Sequence, residues 1–152
     1  MSFDSEKLLD SVGWELLRIL QVDARLSYSE LGKRVGLSAP GVADRIRKME
    51  DAGIITGYRA DVSAERVGLP ITAFIRVVTP NEQHFITFLR SLREVYECHR
   101  VLGEDSCILK VRVTSVDHLE KLVDQLAVYG KTTTSLVTSS PLLRKTIEPE
   151  VD

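Results

Sequence analysis

Leu26-Ser27-Tyr28-Ser29-Glu30-Leu31-Gly32-Lys33-Arg34-Val35-Gly36-Leu37-Ser38-Ala39-Pro40-Gly41-Val42 carries two helix starts and one helix stop in seventeen residues. Ser27 and Glu30 have the spacing of a capping box. The serine hydroxyl accepts from the Glu30 amide, and the glutamate reaches back to the Ser27 amide. Leu31 and Val35 lie one turn apart on one face, and Gly36 stops the helix after about two turns. Only Leu37 and Ser38 precede the next helix. Ser38 is its N-cap, and Pro40 sits in the first turn, where a missing N–H costs nothing. Val42, Ile46 and Met49 then recur at i, i+4 and i+7 as a buried stripe, and Gly53 ends the run.

Two short helices on a tight turn, the second basic on its outer side, have the pattern of a helix-turn-helix. The outer face presents Ala39, Pro40, Gly41, Asp44, Arg45, Arg47 and Lys48, with Ser38 at its head. An α-helix with its side chains fits the major groove of duplex DNA, and small residues such as Ala39 and Gly41 allow close approach. Upstream, Asp10 is placed to cap a helix from Ser11 to about Val22 with an apolar stripe of Val12, Leu16, Leu17 and Leu20. Gly13 in its first turn costs about 1 kcal/mol against Ala. Downstream, residues 54–62 are β-rich around Gly57, which predicts a small wing or strand pair with Arg59 placed to touch phosphate.

Charge and composition narrow the field. The chain has 152 residues, 43% of them hydrophobic, which argues against disorder. Twenty basic against 22 acidic side chains give a net charge of −2, discouraging for nucleic acid as a whole. From Lys33 to Lys48, however, there are five basic residues (Lys33, Arg34, Arg45, Arg47, Lys48) and one acid, Asp44. Phosphate binding responds to such a local field. No apolar stretch approaches the roughly 18–20 residues of a membrane span. The opening residues, Met1 to Glu6, lack the pattern of a secretory leader. Two cysteines, Cys98 and Cys107, make no disulfide framework, so a reducing cytoplasm is expected. Cys98 and His99 would point to opposite faces of a strand, so no metal site is expected. Neither a P-loop nor a nucleophile elbow is present, and no cofactor is implied.

Gly68-Leu69-Pro70 marks a boundary. Beyond it the pattern reads as strand Ile71 to Val78, helix 81–93, strand Val95 to Leu102, turn 103–106, strand Cys107 to Thr114, helix 116–127 and strand Lys131 to about Ser139. This β-α-β-β-α-β order is ferredoxin-like. Both helices would cover one sheet face. The other, with Ile108 and the stems of Lys110 and Arg112, suits self-association. The expected fold class is α+β. A winged helix-turn-helix DNA-binding domain takes 1–62, a linker 63–70, and a ferredoxin-like effector-binding and oligomerisation domain 71–152.

The order of several segments is more specific than any one. They are Leu-Asp-x-x-x-x-x-Leu-Leu at 9–17, the capped pair at 26–38, Arg-Ile-Arg-Lys-Met-Glu-Asp-Ala-Gly-Ile-Ile at 45–55 and Gly-Tyr-Arg-Ala at 57–60. Glu-Cys-His-Arg-Val-Leu-Gly-Glu-Asp at 97–105 and Leu-Lys-Val-Arg-Val at 109–113 follow. Over roughly residues 9–147 the chain resembles the Lrp/AsnC family, the leucine- and asparagine-responsive (feast/famine) regulators. The resemblance implies a sequence-specific DNA-binding transcription regulator, not an enzyme, that answers to a small effector, typically an amino acid. It implies homodimers that assemble into tetramers or octamers. It also implies an effector site near Gly103, Glu104 and Asp105 and near Thr132, Thr133 and Thr134. The chain departs from the family pattern at Gly13, where an acid is frequent, and at Ala39-Pro40-Gly41, where polar residues are frequent. Base reading would then rest on Arg45 and DNA shape, with Lys33, Arg34, Arg47 and Lys48 on phosphates. Two other readings are an amino-acid sensor without DNA binding and a siroheme-decarboxylase-like enzyme. The enzyme is disfavoured because only His84, His99 and His118 are on offer, and Ile108 and Leu109 stand where an aromatic run is expected.

Overall fold

The computed structural model describes residues 7–149, and Met1 to Glu6, read above as lacking a secretory leader, lie outside them. By contact the chain forms two units, one up to Ala60 together with the segment from Leu142, the other Asp61–Pro141.

In the first unit, α1 (Ser11–Val22) begins where the Gly13 N–H donates to Asp10 Oδ1 at 2.8 Å. Its buried stripe is Leu16 and Ile19, flanked by Val12 and Leu20. Ile19 thus takes the core place expected of Leu17. Gly13 is itself buried, because a Cβ there would lie 1.9 Å from the Leu8 carbonyl oxygen. The chain before α1 folds over its first turn, and only glycine leaves room. Next, α2 (Tyr28–Val35) carries the full capping box: Glu30 N–H to Ser27 Oγ at 3.2 Å, and Ser27 N–H to Glu30 Oε2 at 2.9 Å. The turn after it is tight because Gly32 lets Leu37 fold back, its N–H donating to the Gly32 carbonyl at 3.0 Å. A Cβ on Gly32 would meet the Leu37 carbonyl oxygen at 2.3 Å. Then α3 (Ala39–Asp51), capped by Ser38, buries Val42, Ile46 and Met49.

The expected strand pair over 54–62 is absent. The Ile54 and Ile55 amides instead close on the Met49 carbonyl at 2.9 and 3.1 Å. Tyr58 Oη donates to Glu50 Oε1 at 2.9 Å, so this stretch is tied to the end of α3 by a side chain and has no ladder partner among the described residues. The C-terminal segment, expected in the second domain, belongs by contact to the first. Ile147 N–H donates to Gln21 Oε1 at 2.7 Å, and Gln21 Nε2 donates back to the Ile147 carbonyl at 3.1 Å.

The second unit has β1 (Ile71–Val78), α4 (Glu82–Leu89), β2 (Val95–Arg100), β3 (Cys107–Val113), α5 (Val116–Ala127) and β4 (Lys131–Leu136). Strand order is β2-β3-β1-β4, every neighbouring pair antiparallel, which is the ferredoxin-like arrangement. Alternation puts Ala73, Ile75 and Val77 of β1 and Cys107, Leu109, Val111 and Val113 of β3 on the covered face. They pack with Phe85 and Leu89 of α4 and Leu119, Leu122 and Leu126 of α5. Elements end earlier than periodicity suggested. The Ser91 hydroxyl donates to the Phe88 carbonyl at 2.7 Å and closes the turn after α4. β2 stops at Arg100, because Val101 N–H turns to the Ser106 carbonyl at 3.2 Å. The open sheet face carries Phe74, Arg76 and Val78 opposite Lys110, Ile108 and Lys131.

Candidate nucleic-acid interface and ligand site

The geometry of α3 follows from its stripe. Pro40, Asp44, Arg47 and Lys48 lie opposite Val42, Ile46 and Met49, while Arg45, next to Ile46 and three residues from Val42, flanks the buried side. Arg47 and Lys48 are accordingly exposed, at 69% and 57% of their side-chain surface. Asp44 sits between them, 2.8 Å from Arg47 Nη2 and 2.7 Å from Lys48 Nζ. Their hydrogen bonds, Lys48's first, lower the Asp44 pKa and keep it ionised. Lys33 and Arg34 are exposed in the last turn of α2, and Ser38 and Pro40 at the start of α3; Ala39 and Gly41 are half-buried. Arg59 is exposed beyond Tyr58. Burial, then Glu50, raises the Tyr58 pKa to about 12, so its phenol stays a donor.

Arg45 is corrected. Its Nη1 and Nη2 donate to Asp10 Oδ1 and Oδ2 at 2.6 and 2.7 Å, and only 27% of the side chain is exposed. Each arm of the fork thus gives one hydrogen bond to the N-cap of α1. The Arg45 hydrogen bond first, then the Gly13 amide, pulls the Asp10 pKa down to about 2, so the pair stays charged. Sequence reading found Asp10 as a cap and missed it as this partner, since nothing local links residues 35 positions apart.

The effector candidates fall into two groups. The turn at Gly103, Glu104 and Asp105 is fixed to the end of β1, with Ser106 N–H donating to the Val77 carbonyl at 2.8 Å. Asp105 lies 3.7 Å from Arg76, and Arg76 pairs in register with Thr133, so these three share the open face at one end of the sheet. Thr132 and Thr134 alternate to the helix side. There Thr134 lines a shallow hollow of about 380 Å³ with Leu119, Val123, Glu120 and Asp124. The sequence reading passed over Arg76, and over Glu120 and Asp124, whose i,i+4 spacing on α5 was the available signal. Cys98 faces the covered side and His99 the open side beside Glu97, as strand alternation requires. No helix among the described residues is long and apolar enough to cross a membrane.

A helix-turn-helix unit joined to a ferredoxin-like sheet domain defines a class, the two-domain regulator that couples a DNA-binding helix to ligand binding. Residues 9–50 match the AsnC-type helix-turn-helix domain, and residues 72–147 match the Lrp/AsnC ligand binding domain. The chain belongs to the Lrp/AsnC family of transcriptional regulators. It is 42% identical to the uncharacterized HTH-type transcriptional regulator YezC of Bacillus subtilis over 87% of this chain and 95% of that one. It is 34% identical to the regulatory protein AsnC of Escherichia coli over 93% and 97%. A feast or famine regulatory protein of Mycobacterium tuberculosis, solved with L-methionine, superposes with a TM-score of 0.85 at 31% identity, covering 93% of this chain and 99% of that one.

Proposed function

We propose that this chain is a cytoplasmic regulator that binds operator DNA through α2 and α3 as a homodimer and answers to a free amino acid. One observation carries the DNA reading. The face of α3 opposite its buried stripe is solvent-exposed and bears Arg47 and Lys48, with Lys33 and Arg34 beside it at the end of α2. In this reading those four cations hold phosphates and Arg59 adds a contact beyond the turn. Ser38, Ala39, Pro40 and Gly41 approach the bases, and no step of catalysis is involved. Fluorescence anisotropy on the duplex upstream of its own gene tests it. Arg47→Ala and Lys48→Ala should each weaken specific and random duplexes alike and reduce the salt slope by about 1. Unchanged slopes, or no binding to any duplex, would reject the interface.

The effector reading is supported by the relatives solved with L-methionine and by two polar groups on opposite faces of the sheet. The Arg76–Asp105 pair with Thr133 offers one charge of each sign to a zwitterion, and Thr134 borders the hollow on α5. Thermal-shift screening against the twenty amino acids tests it, since a ligand that binds only the native state raises the melting temperature. A flat response from all twenty would reject an amino-acid effector.

A further inference from the structure

Arg45, the side chain best shaped to grip a guanine edge, is withdrawn by its two hydrogen bonds to Asp10. Asp44, an acceptor suited to cytosine N4, is occupied by Arg47 and Lys48. What the first turn of α3 presents outward is apolar: the exposed Pro40 ring, with the half-buried Ala39 at its inner edge, beside a Ser38 hydroxyl that accepts from the Gly41 amide at 3.2 Å. In the major groove the apolar group on a base edge is the 5-methyl of thymine. We propose that α3 reads thymine methyl groups through Ala39 and Pro40, and that Arg45 is a positioning residue that holds α3 against the N-cap of α1. The proposal rests on the DNA-binding reading above and names what that site recognises.

The chemistry is the removal of methyl surface from water against Ala39 and Pro40. Burying one methyl corresponds to about a fourfold change in affinity. This selectivity is modest, and because the methyl lies on the thymine side of the pair it favours T at the contacted position on one strand. Arg45 contributes indirectly: the bidentate bridge sets how far the first turn projects, so its loss shifts every base contact together.

The test uses the full chain and a duplex selected by the protein from a random pool. That duplex is remade with deoxyuridine for thymidine at single positions, which removes only the 5-methyl. Wild type should lose about fourfold at each contacted position. Ala39→Gly or Pro40→Ala should bind the thymidine and deoxyuridine forms alike at the position each residue reads, with an unchanged circular dichroism spectrum. Arg45→Ala and Asp10→Asn should show the same profile of weakened preference across the site and be non-additive in the double variant. Equal binding of both duplex forms by wild type overturns the methyl reading. An Arg45→Ala variant that relaxes one G·C position alone overturns the positioning role. Failure to bind any duplex at about 50 mM salt overturns the underlying DNA-binding reading instead, so the failures are distinguishable.

Discussion

Asp10 holds two jobs in one carboxylate, N-cap of α1 and anchor of Arg45, and substitution can separate them. Asparagine still accepts the Gly13 amide but carries no charge, whereas alanine loses both roles. Asp10→Asn should cost about 1 kcal/mol, after allowance for screening at a carboxylate that is 43% exposed. Asp10→Ala should cost about 1 kcal/mol more for the lost cap. The sign of the pH effect follows from the depressed pKa. Stability from the pair is present above the ordinary aspartate value of 3.8 and is lost as pH falls toward about 2. Urea unfolding of wild type and Asp10→Asn should therefore converge between pH 4 and pH 2, roughly the window between the two values; a gap that stays constant over that range contradicts the pair. Gly13 offers a test of sign. Helix propensity favours Gly13→Ala by about 1 kcal/mol. A Cβ 1.9 Å from the Leu8 carbonyl oxygen and 3.2 Å from Met49 Cε opposes it. We expect a net loss of about 1–3 kcal/mol in urea denaturation, as for overpacked sites; a stabilised variant would refute the close approach.

At the scale of elements, the sequence was legible where signals are local. The Ser27–Glu30 box, the Ser38 cap and the stripe at Val42, Ile46 and Met49 lie within one or two turns, and the structure shows each where expected. The strand pair over 54–62 failed for a physical reason. β-propensity states that a segment fits a sheet, and a ladder still needs a partner, which the described residues do not supply there. The pairing of Arg45 with Asp10 was not legible, because a side chain's neighbour 35 positions away has no trace in periodicity. The same holds for the C-terminal segment, which meets α1 at a separation of 126 residues. There Gln21 imitates a strand edge, using its amide to accept from and donate to one backbone residue, Ile147. Gln21→Ala removes both bonds at an exposed site. The expected result is faster hydrogen exchange at the Ile147 amide with little change in global unfolding, because exposed segments open locally. Unaltered protection of that amide would show that the tail is held by something else.

At the scale of the whole molecule, the open sheet face decides whether one chain can act alone. Phe74 and Val78 remain 41% and 42% exposed on β1, beside a half-buried Ile108. Charged neighbours are already matched, Glu97 with Lys110 at 3.0 Å and Arg76 with Asp105, so the surface presents few unpaired charges to a facing copy. Arg112 stacks its guanidinium 4.6 Å from the Tyr96 ring centroid, yet its buried Nε–H has no acceptor among the described residues. Leaving a buried donor unmatched costs about 1–3 kcal/mol, and because this one is already out of reach of solvent in the single chain it adds nothing to the case for a second copy. In the homodimer proposed above this face would pair across a two-fold axis, and such a dimer presents its α3 helices in a matched pair. The paired half-sites should then lie about 34 Å apart or a multiple of it. Phe74→Asp combined with Ile108→Asp places carboxylates on that face without touching the core formed by Ala73, Ile75, Leu109 and their neighbours. Sedimentation equilibrium should show wild type at or above twice the chain mass and the double variant at the chain mass, with a native circular dichroism spectrum. The variant should keep its affinity for a single half-site and lose the gain from a second, which tethering sets at about 10²–10⁴-fold. A variant that still dimerises, or a monomeric wild type, would place the oligomer contact elsewhere and remove the reason for expecting paired operators.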